Sequence, residues 1–154
     1  MILDSRLAAR WRYLSQLVER EILRLQATDR RLFDQPFTLE RARQLAEDED
    51  LAERVDAFVC RFSRLQDTVS DKLLPTYLAV HGEHTATFAQ NLDRAEKLGL
   101  ISDAQAWIDM RKLRNQMIHE YVEDAAILAS ALEAAHGFVP VLIATARRLR
   151  MNAR

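Results

Sequence analysis

Apolar residues recur at every third or fourth position along most of this chain, the spacing that places side chains on one face of an α-helix. Only three glycines and three prolines interrupt its 154 residues, so helices are expected to be long and turns few. These features predict an all-α fold. The clearest stripe predicts a first helix of about six turns, with Leu3, Leu7, Trp11, Leu14, Val18, Ile22 and Leu25 on its buried face.

Breaks in the periodicity divide the first half of the chain. The pattern fails from Thr28 to Phe37, and Thr38 is expected to be the N-cap of a short helix. Asp48 or Asp50 begins a long helix, which Pro75 is expected to end or kink. A shorter helical piece can follow this proline.

The second half shows similar signals. Gly82 marks a break, and Gly99 is expected to follow the end of a helix. Ser102 with Gln105 matches a capping box, which predicts the start of the next helix. Gly137 is expected to stop a helical piece that begins near Asp124, and Pro140 to lie in the first turn of the last helix.

The expected architecture is an up-and-down bundle of about five main helices in one domain, residues 1–154. Apolar residues make up 49% and charged residues 29%, as in a soluble globular protein. A single cysteine, Cys60, excludes an internal disulfide and fits a cytoplasmic location. No apolar run approaches the ~18 residues of a membrane span, and no cofactor motif is apparent.

The segment Arg114-Asn115-Gln116-Met117-Ile118-His119-Glu120-Tyr121 carries the chemistry most relevant to function. Histidine exchanges a proton near neutral pH, and arginine stabilises a phosphate that gains charge in a transition state. This pair can cut RNA without a metal. On a regular helix, however, Arg114 and His119 point about 140° apart. An equally simple interpretation is a salt bridge from Arg114 to Asp67 or Asp71 on the long helix.

The segment resembles the motif of HEPN-domain proteins, an arginine and a polar residue followed a few positions later by histidine. Tyr121, two residues after His119, makes it similar to the HepT-like subfamily. The stretches Arg61–Thr68 and Leu92–Gly99 also look like segments of this family. The resemblance runs from about Val55 to Tyr121 and implies a HEPN-like bundle that forms a homodimer.

The resemblance implies a metal-independent endoribonuclease, the toxin of a type VII-like toxin–antitoxin pair. His119 would act as general base or general acid, and Arg114 would stabilise the phosphorane-like transition state. Asn115 would position the phosphate or orient His119. The substrate would be RNA, with tRNA and mRNA both open.

The resemblance also implies a partner, an antitoxin of the small nucleotidyltransferase type. In HepT-like systems this partner transfers AMP to the motif tyrosine, here Tyr121. The helical count places Tyr121 within about 20° of Arg114, so a nucleotide there would occupy the arginine. The alternative function is a non-catalytic module that binds a substrate or a partner beside a nucleotidyltransferase.

Three further groups of residues have weaker links to function. Arg64 and Asp67 are expected to support the site, although an ordinary surface ladder explains them as well. His81-Gly82-Glu83-His84 lacks enough well-spaced ligands to predict a metal site. The C-terminal arginines would either contact an RNA backbone or form a solvated tail, and they are Arg147, Arg148, Arg150 and Arg154.

Overall fold

The structure, a computed structural model, describes residues 4–119, apart from the side chain of His119, and residues 124–152. Within these ranges every regular element is helical, which confirms the all-α prediction. The elements are α1 Ser5–Leu32, α2 Leu39–Arg43, a 3-10 turn Gln44–Ala46, α3 Glu49–Asp67, a π-helical segment Thr68–Leu73, α4 Leu74–Val80, α5 Phe88–Lys97, α6 Ala104–His119 and α7 Ala125–Asn152.

Helix α1 begins after Asp4, whose carboxylate accepts hydrogen bonds from two amides of the first turn. It continues past Thr28, so the expected break at that residue is wrong. Thr28 is buried, and its hydroxyl is bonded to the guanidinium of Arg61 on α3. Because this polar group has a partner, the helix extends its buried face to Leu32.

Helix α3 starts as predicted, with the Asp48 carboxylate bonded to the amide of Leu51 at 3.0 Å. The regular α3 helix ends several residues before Pro75, and not at Pro75 as the sequence predicted. Thr68–Leu73 forms the π-helical segment, and Pro75 then lies in the first turn of α4, where its missing amide costs little. Thr68, Val69 and Ser70 are buried in succession, which a regular helix on a bundle surface does not do.

The start of α6 corrects a second prediction. The carboxylate of Asp103 bonds to the amides of Gln105 at 3.0 Å and Ala106 at 3.4 Å, so Asp103 and not Ser102 forms the cap. The side chain of Gln105 bonds to Asp109 instead of turning back to the cap. The carboxylate of Asp103 is a stronger acceptor than the hydroxyl of Ser102, and it lies one residue nearer the first turn.

Helix α7 corrects a third prediction, because Gly137 and Pro140 lie inside one continuous helix of 28 residues. Phe138, Val139 and Leu142 are buried around these positions, and their packing offsets the hydrogen bond that proline removes. An 18-residue window of α7 has a mean hydropathy of 1.7, so by length and composition alone this helix could cross a membrane. Half of that window is buried inside the protein, as in the core helix of a bundle.

The buried apolar side chains of these helices form one connected core. Helix α1 packs on α3, and α6 packs on α7 and also contacts α3. Aromatic rings fill part of this core, with Phe33 edge-on to Phe58 and Trp107 of α6 edge-on to Phe138 of α7. The packing fixes α6, which carries the motif, against the end of α3.

Candidate functional site

Residues 114–119 of the motif form the C-terminal part of α6. Met117 is buried in the core, and this fixes the rotation of the helix. Asn115 is exposed and Ile118 is half exposed. His119 is the last residue of α6. The predicted roles of its imidazole and of Tyr121 fall outside the described parts of the chain.

Arg114 is paired with Asp67 of α3. Its Nη1 atom donates a hydrogen bond to the Asp67 carboxylate, and its side chain is only 15% exposed. The carboxylate partner considered from the sequence is therefore present. Nε of Arg114 is buried without a partner, and Nη2 makes no hydrogen bond to any described residue. One edge of the guanidinium is held while another donor remains for a ligand.

Arg111, one turn earlier on α6, is a second cation that the sequence interpretation missed. Its Nη2 atom lies 2.6 Å from Oδ1 of Asp71 and 3.8 Å from Oδ1 of Asp67. The same nitrogen donates to the Ser70 hydroxyl at 3.1 Å. The guanidinium also lies over the ring of Phe88, with its central carbon 3.7 Å from the ring centroid.

The two arginines and two carboxylates thus form a ladder across the α3–α6 contact. Arg111 and Arg114 are three residues apart on one face of α6. Asp67 and Asp71 are four residues apart, the first at the end of α3 and the second in the π-helical segment. This matched spacing is a usable sequence signal for Arg111, since the aspartate pair is evident on the long helix. The ladder carries no net charge when all its members are ionised.

A groove of about 630 Å³ runs beside the ladder between α3 and α6. Arg64 and Asp67 both line it, together with two residues from the middle of the motif. The Nη2 atom of Arg64 lies 3.4 Å from the sulfur of Cys60. The groove wall is completed by Asp56, Val59, Cys60, Ser63, Met117 and Ile118.

The other candidate residues have structural partners. Nδ1 of His81 lies 2.9 Å from the carbonyl oxygen of Tyr77, and Glu83 pairs with Arg94 at 2.8 Å. Within residues 4–119 and 124–152, no group of three or more potential ligands is placed to hold a metal.

The arginines near the C-terminus are also tied to the fold. Arg147 and Arg150 pair with Glu19 of α1, and Arg148 donates to the carbonyl oxygen of Leu100 at 2.9 Å. These contacts favour a structural role over the RNA contact considered from the sequence. Arg154 lies outside the described residues.

Comparison of the chain with models of protein families, with curated proteins and with solved structures gives no match.

Proposed function

We propose that this chain is a metal-independent endoribonuclease of the HEPN type, the toxin of a type VII-like toxin–antitoxin pair. The observation that carries the proposal is the position of Arg114. It is held by Asp67, which lines an open groove, it lies on the same helix as His119, and it keeps a donor that no described residue uses. A fixed cation near a titratable imidazole suits the chemistry of RNA cleavage.

In the proposed reaction the 2′-oxygen of a ribose attacks the adjacent phosphorus, and the bond to the 5′-oxygen breaks. His119 takes the proton from the 2′-hydroxyl or gives one to the leaving 5′-oxygen. Arg114 stabilises the charge that builds on the phosphate oxygens, and Asn115 orients the phosphate or the imidazole. The products are a 2′,3′-cyclic phosphate and a 5′-hydroxyl, and no metal takes part.

The helical count supports a dimer as the active form. Arg114 and His119 diverge by about 140° on a straight helix, so one protomer does not aim both at the same atom. A symmetric pair would bring two copies of the motif around one groove. The half-exposed Ile118 gives the groove rim an apolar side chain that a second copy would cover.

The proposed control is AMP transfer to Tyr121 by a small nucleotidyltransferase. A nucleotide on Tyr121 would bring negative charge towards Arg114 and compete with the phosphate of RNA. Asp67 accepts a hydrogen bond from one nitrogen of Arg114, Nη1. The phosphate of a covalently attached nucleotide would therefore bind the remaining N–H donors.

The catalytic proposal is tested by comparing RNA cleavage by the wild-type chain with cleavage by the variants Arg114→Ala and His119→Ala. We expect wild type to cleave RNA in the presence of EDTA and to leave 2′,3′-cyclic phosphate ends, and both variants to lose this activity. Arg12→Ala is the matched control, because Arg12 is an exposed arginine on α1. Intact RNA with purified wild type, with and without EDTA, would exclude the proposed reaction.

One observation favours a second function, a non-catalytic module that binds a nucleotidyltransferase or its substrate. The positive charge of Arg114 is already balanced by Asp67, as in a structural ion pair. Co-expression with a nucleotidyltransferase followed by mass spectrometry separates the two. An AMP adduct on Tyr121 supports the toxin, whereas a stable unmodified complex supports the module.

A further inference from the structure

Helix α1 presents five exposed arginines along the flank between its buried face and solvent, here called the basic stripe: Arg6, Arg10, Arg20, Arg24 and Arg31. At about 100° per residue these positions fall within an arc of about 80°, and all five side chains are exposed. Tyr13, which is 58% exposed, and Leu17 continue the same line between Arg10 and Arg20. The stripe extends about 38 Å along the helix axis.

The basic stripe contains no acidic residue from its own helix. Asp4 caps the first turn, Glu19 pairs with Arg147 and Arg150, Glu21 is buried, and Asp29 contacts His136 at 2.7 Å. In residues 4–119 and 124–152, none of the five stripe arginines forms an ion pair. The whole chain has a formal net charge of −1, so this positive charge is concentrated locally.

Helix α3 joins the middle of the stripe to the candidate site. Arg20, Glu21 and Arg24 border a hollow of about 240 Å³, and Arg61 and Arg64 border it from α3, so four cations surround one carboxyl group there. Arg64 also lines the α3–α6 groove beside the motif. A chain of phosphates lying on the stripe therefore meets a positive side chain at the point where it would enter the groove.

We propose that the basic stripe binds the sugar–phosphate backbone of single-stranded RNA and leads it through Arg64 to the α3–α6 groove. Within the pairs Arg6/Arg10 and Arg20/Arg24 the residues are about 6 Å apart along the axis, and about 15 Å separates the two pairs. Each guanidinium can hold a phosphate by paired hydrogen bonds. Tyr13 offers an exposed ring on which a base stacks. The identity of the ligand rests on the proposed ribonuclease function, whereas the positive surface does not.

Two other occupants fit less well. A membrane surface would require apolar side chains beside the arginines, and the stripe itself offers only Tyr13 and the half-buried Leu17. An acidic protein would satisfy the charge, but it would not need the continuity through Arg64 to the groove. A polymer that carries a charge at each unit can contact cations that are spread along the whole length of a helix.

The test is binding of a fluorescent 2′-O-methyl oligouridylate, which the proposed reaction cannot cleave because it lacks the attacking hydroxyl. Affinity is measured by fluorescence anisotropy over a series of salt concentrations for wild type and for Arg20→Gln/Arg24→Gln. We expect the double variant to bind about tenfold more weakly at low salt. The slope of log affinity against log salt should become shallower by about 1.4, or roughly 0.7 for each phosphate that is no longer neutralised.

Arg12→Gln/Arg30→Gln is the matched control. It removes the same charge from exposed positions of the same helix, about 80° away from Arg20 and about 120° away from Arg24, and should bind as wild type does. Equal weakening in both double variants, or no binding by wild type, overturns the proposal. So does a loss confined to a fluorescent polyglutamate probe, which would identify an acidic protein as the occupant.

Cleavage of an all-ribose RNA is measured separately with the same proteins. Stripe-dependent binding without cleavage by wild type supports the stripe and counts against the ribonuclease proposal. Cleavage by wild type with equal oligonucleotide binding by both double variants supports the ribonuclease and overturns the stripe. The two proposals therefore fail by different measurements.

Discussion

The arginines of the α3–α6 contact and those of the α1 face have different surroundings. Arg111 and Arg114 are 25% and 15% exposed and are paired with Asp67 and Asp71. The five arginines of the basic stripe are exposed and form no ion pair with a described residue. In the contact, pairing fixes the direction of each guanidinium. On the face, the charge stays available to a partner that arrives from solution.

The difference separates two uses of one side chain. A held guanidinium can stabilise a transition state without first losing the entropy of becoming ordered. Exposed arginines without partners suit a long polyanion, which can slide and exchange contacts. Substitutions at the two places can show whether this division between a held and a free arginine is real.

The largest expected effect is the loss of cleavage in Arg114→Ala. Removing one group that stabilises transition-state charge lowers the rate by about 100- to 1000-fold. Arg24→Ala removes one stripe cation and should lower RNA cleavage at subsaturating substrate by less than about tenfold. Steady-state kcat and kcat/KM measure both. Equal decreases in kcat for the two variants would erase the distinction between them.

The next effect concerns stability at the ladder. Asp67→Ala leaves Arg114, which is mostly buried, without its carboxylate, and should lower the free energy of unfolding by about 1–2 kcal/mol. Asp71→Ala removes the more exposed Arg111 pair and a long hydrogen bond from Ser70, and should cost about 0.5 kcal/mol. Denaturant unfolding measures both values. A cost at Asp71 as large as that at Asp67 would contradict the assignment of the main pair to Arg114.

A third effect depends on pH and on Glu21, which lies buried below the basic stripe. Burial raises the pKa of Glu21 above its usual 4.5, while a hydrogen bond with Thr68 and the charges of Arg64, Lys72 and Arg20 act in the other direction. The folded protein therefore holds this proton more tightly than the unfolded chain does. Its stabilising contribution is complete below about pH 4.5 and is lost as the pH rises through the folded pKa.

Glu21→Gln removes this ionisation. We expect the variant to be more stable than wild type at pH 8, by on the order of 1 kcal/mol, with the difference vanishing near pH 4. Chemical unfolding across this pH range measures it, and the exposed Glu53→Gln serves as control. A difference that grows towards low pH would have the wrong sign.

The smallest effect is the stability of the stripe variant itself. Arg20→Gln/Arg24→Gln should change the free energy of unfolding by less than about 0.5 kcal/mol, because exposed arginines without partners contribute little to folding. Arg12→Gln/Arg30→Gln should behave alike in thermal unfolding. A clear destabilisation confined to the stripe pair would mean that these arginines serve the fold.

Local signals predicted several parts of the structure. Thr38 and Asp48 cap helices as expected, and Gly99 adopts the positive φ of 75° that its position after α5 requires. A carboxylate partner for Arg114 also follows from the sequence, because an arginine at the edge of a buried stripe needs an acceptor. Each of these depends on residues close in sequence or on a strong rule of burial.

The features that the sequence did not predict depend on residues far apart in the chain. Thr28 continues α1 because Arg61, far along the chain, satisfies its hydroxyl. The π-helical segment adds a residue to one turn, which a search at a period of 3.6 does not detect. Pro140 is tolerated because the buried residues around it pack into the core, and composition alone cannot show that packing.

Because α7 continues unbroken past Pro140, we expect the backbone amides on the two sides of this proline to open to solvent at different times. Proline has no N–H, so the carbonyl of His136 lacks the amide donor that a regular helix would supply. The hydrogen-bond ladder is thus missing one rung between two well-packed halves. Exchange of the backbone amides with deuterated water can then proceed in two separate steps. One long helix would behave as two units of local unfolding.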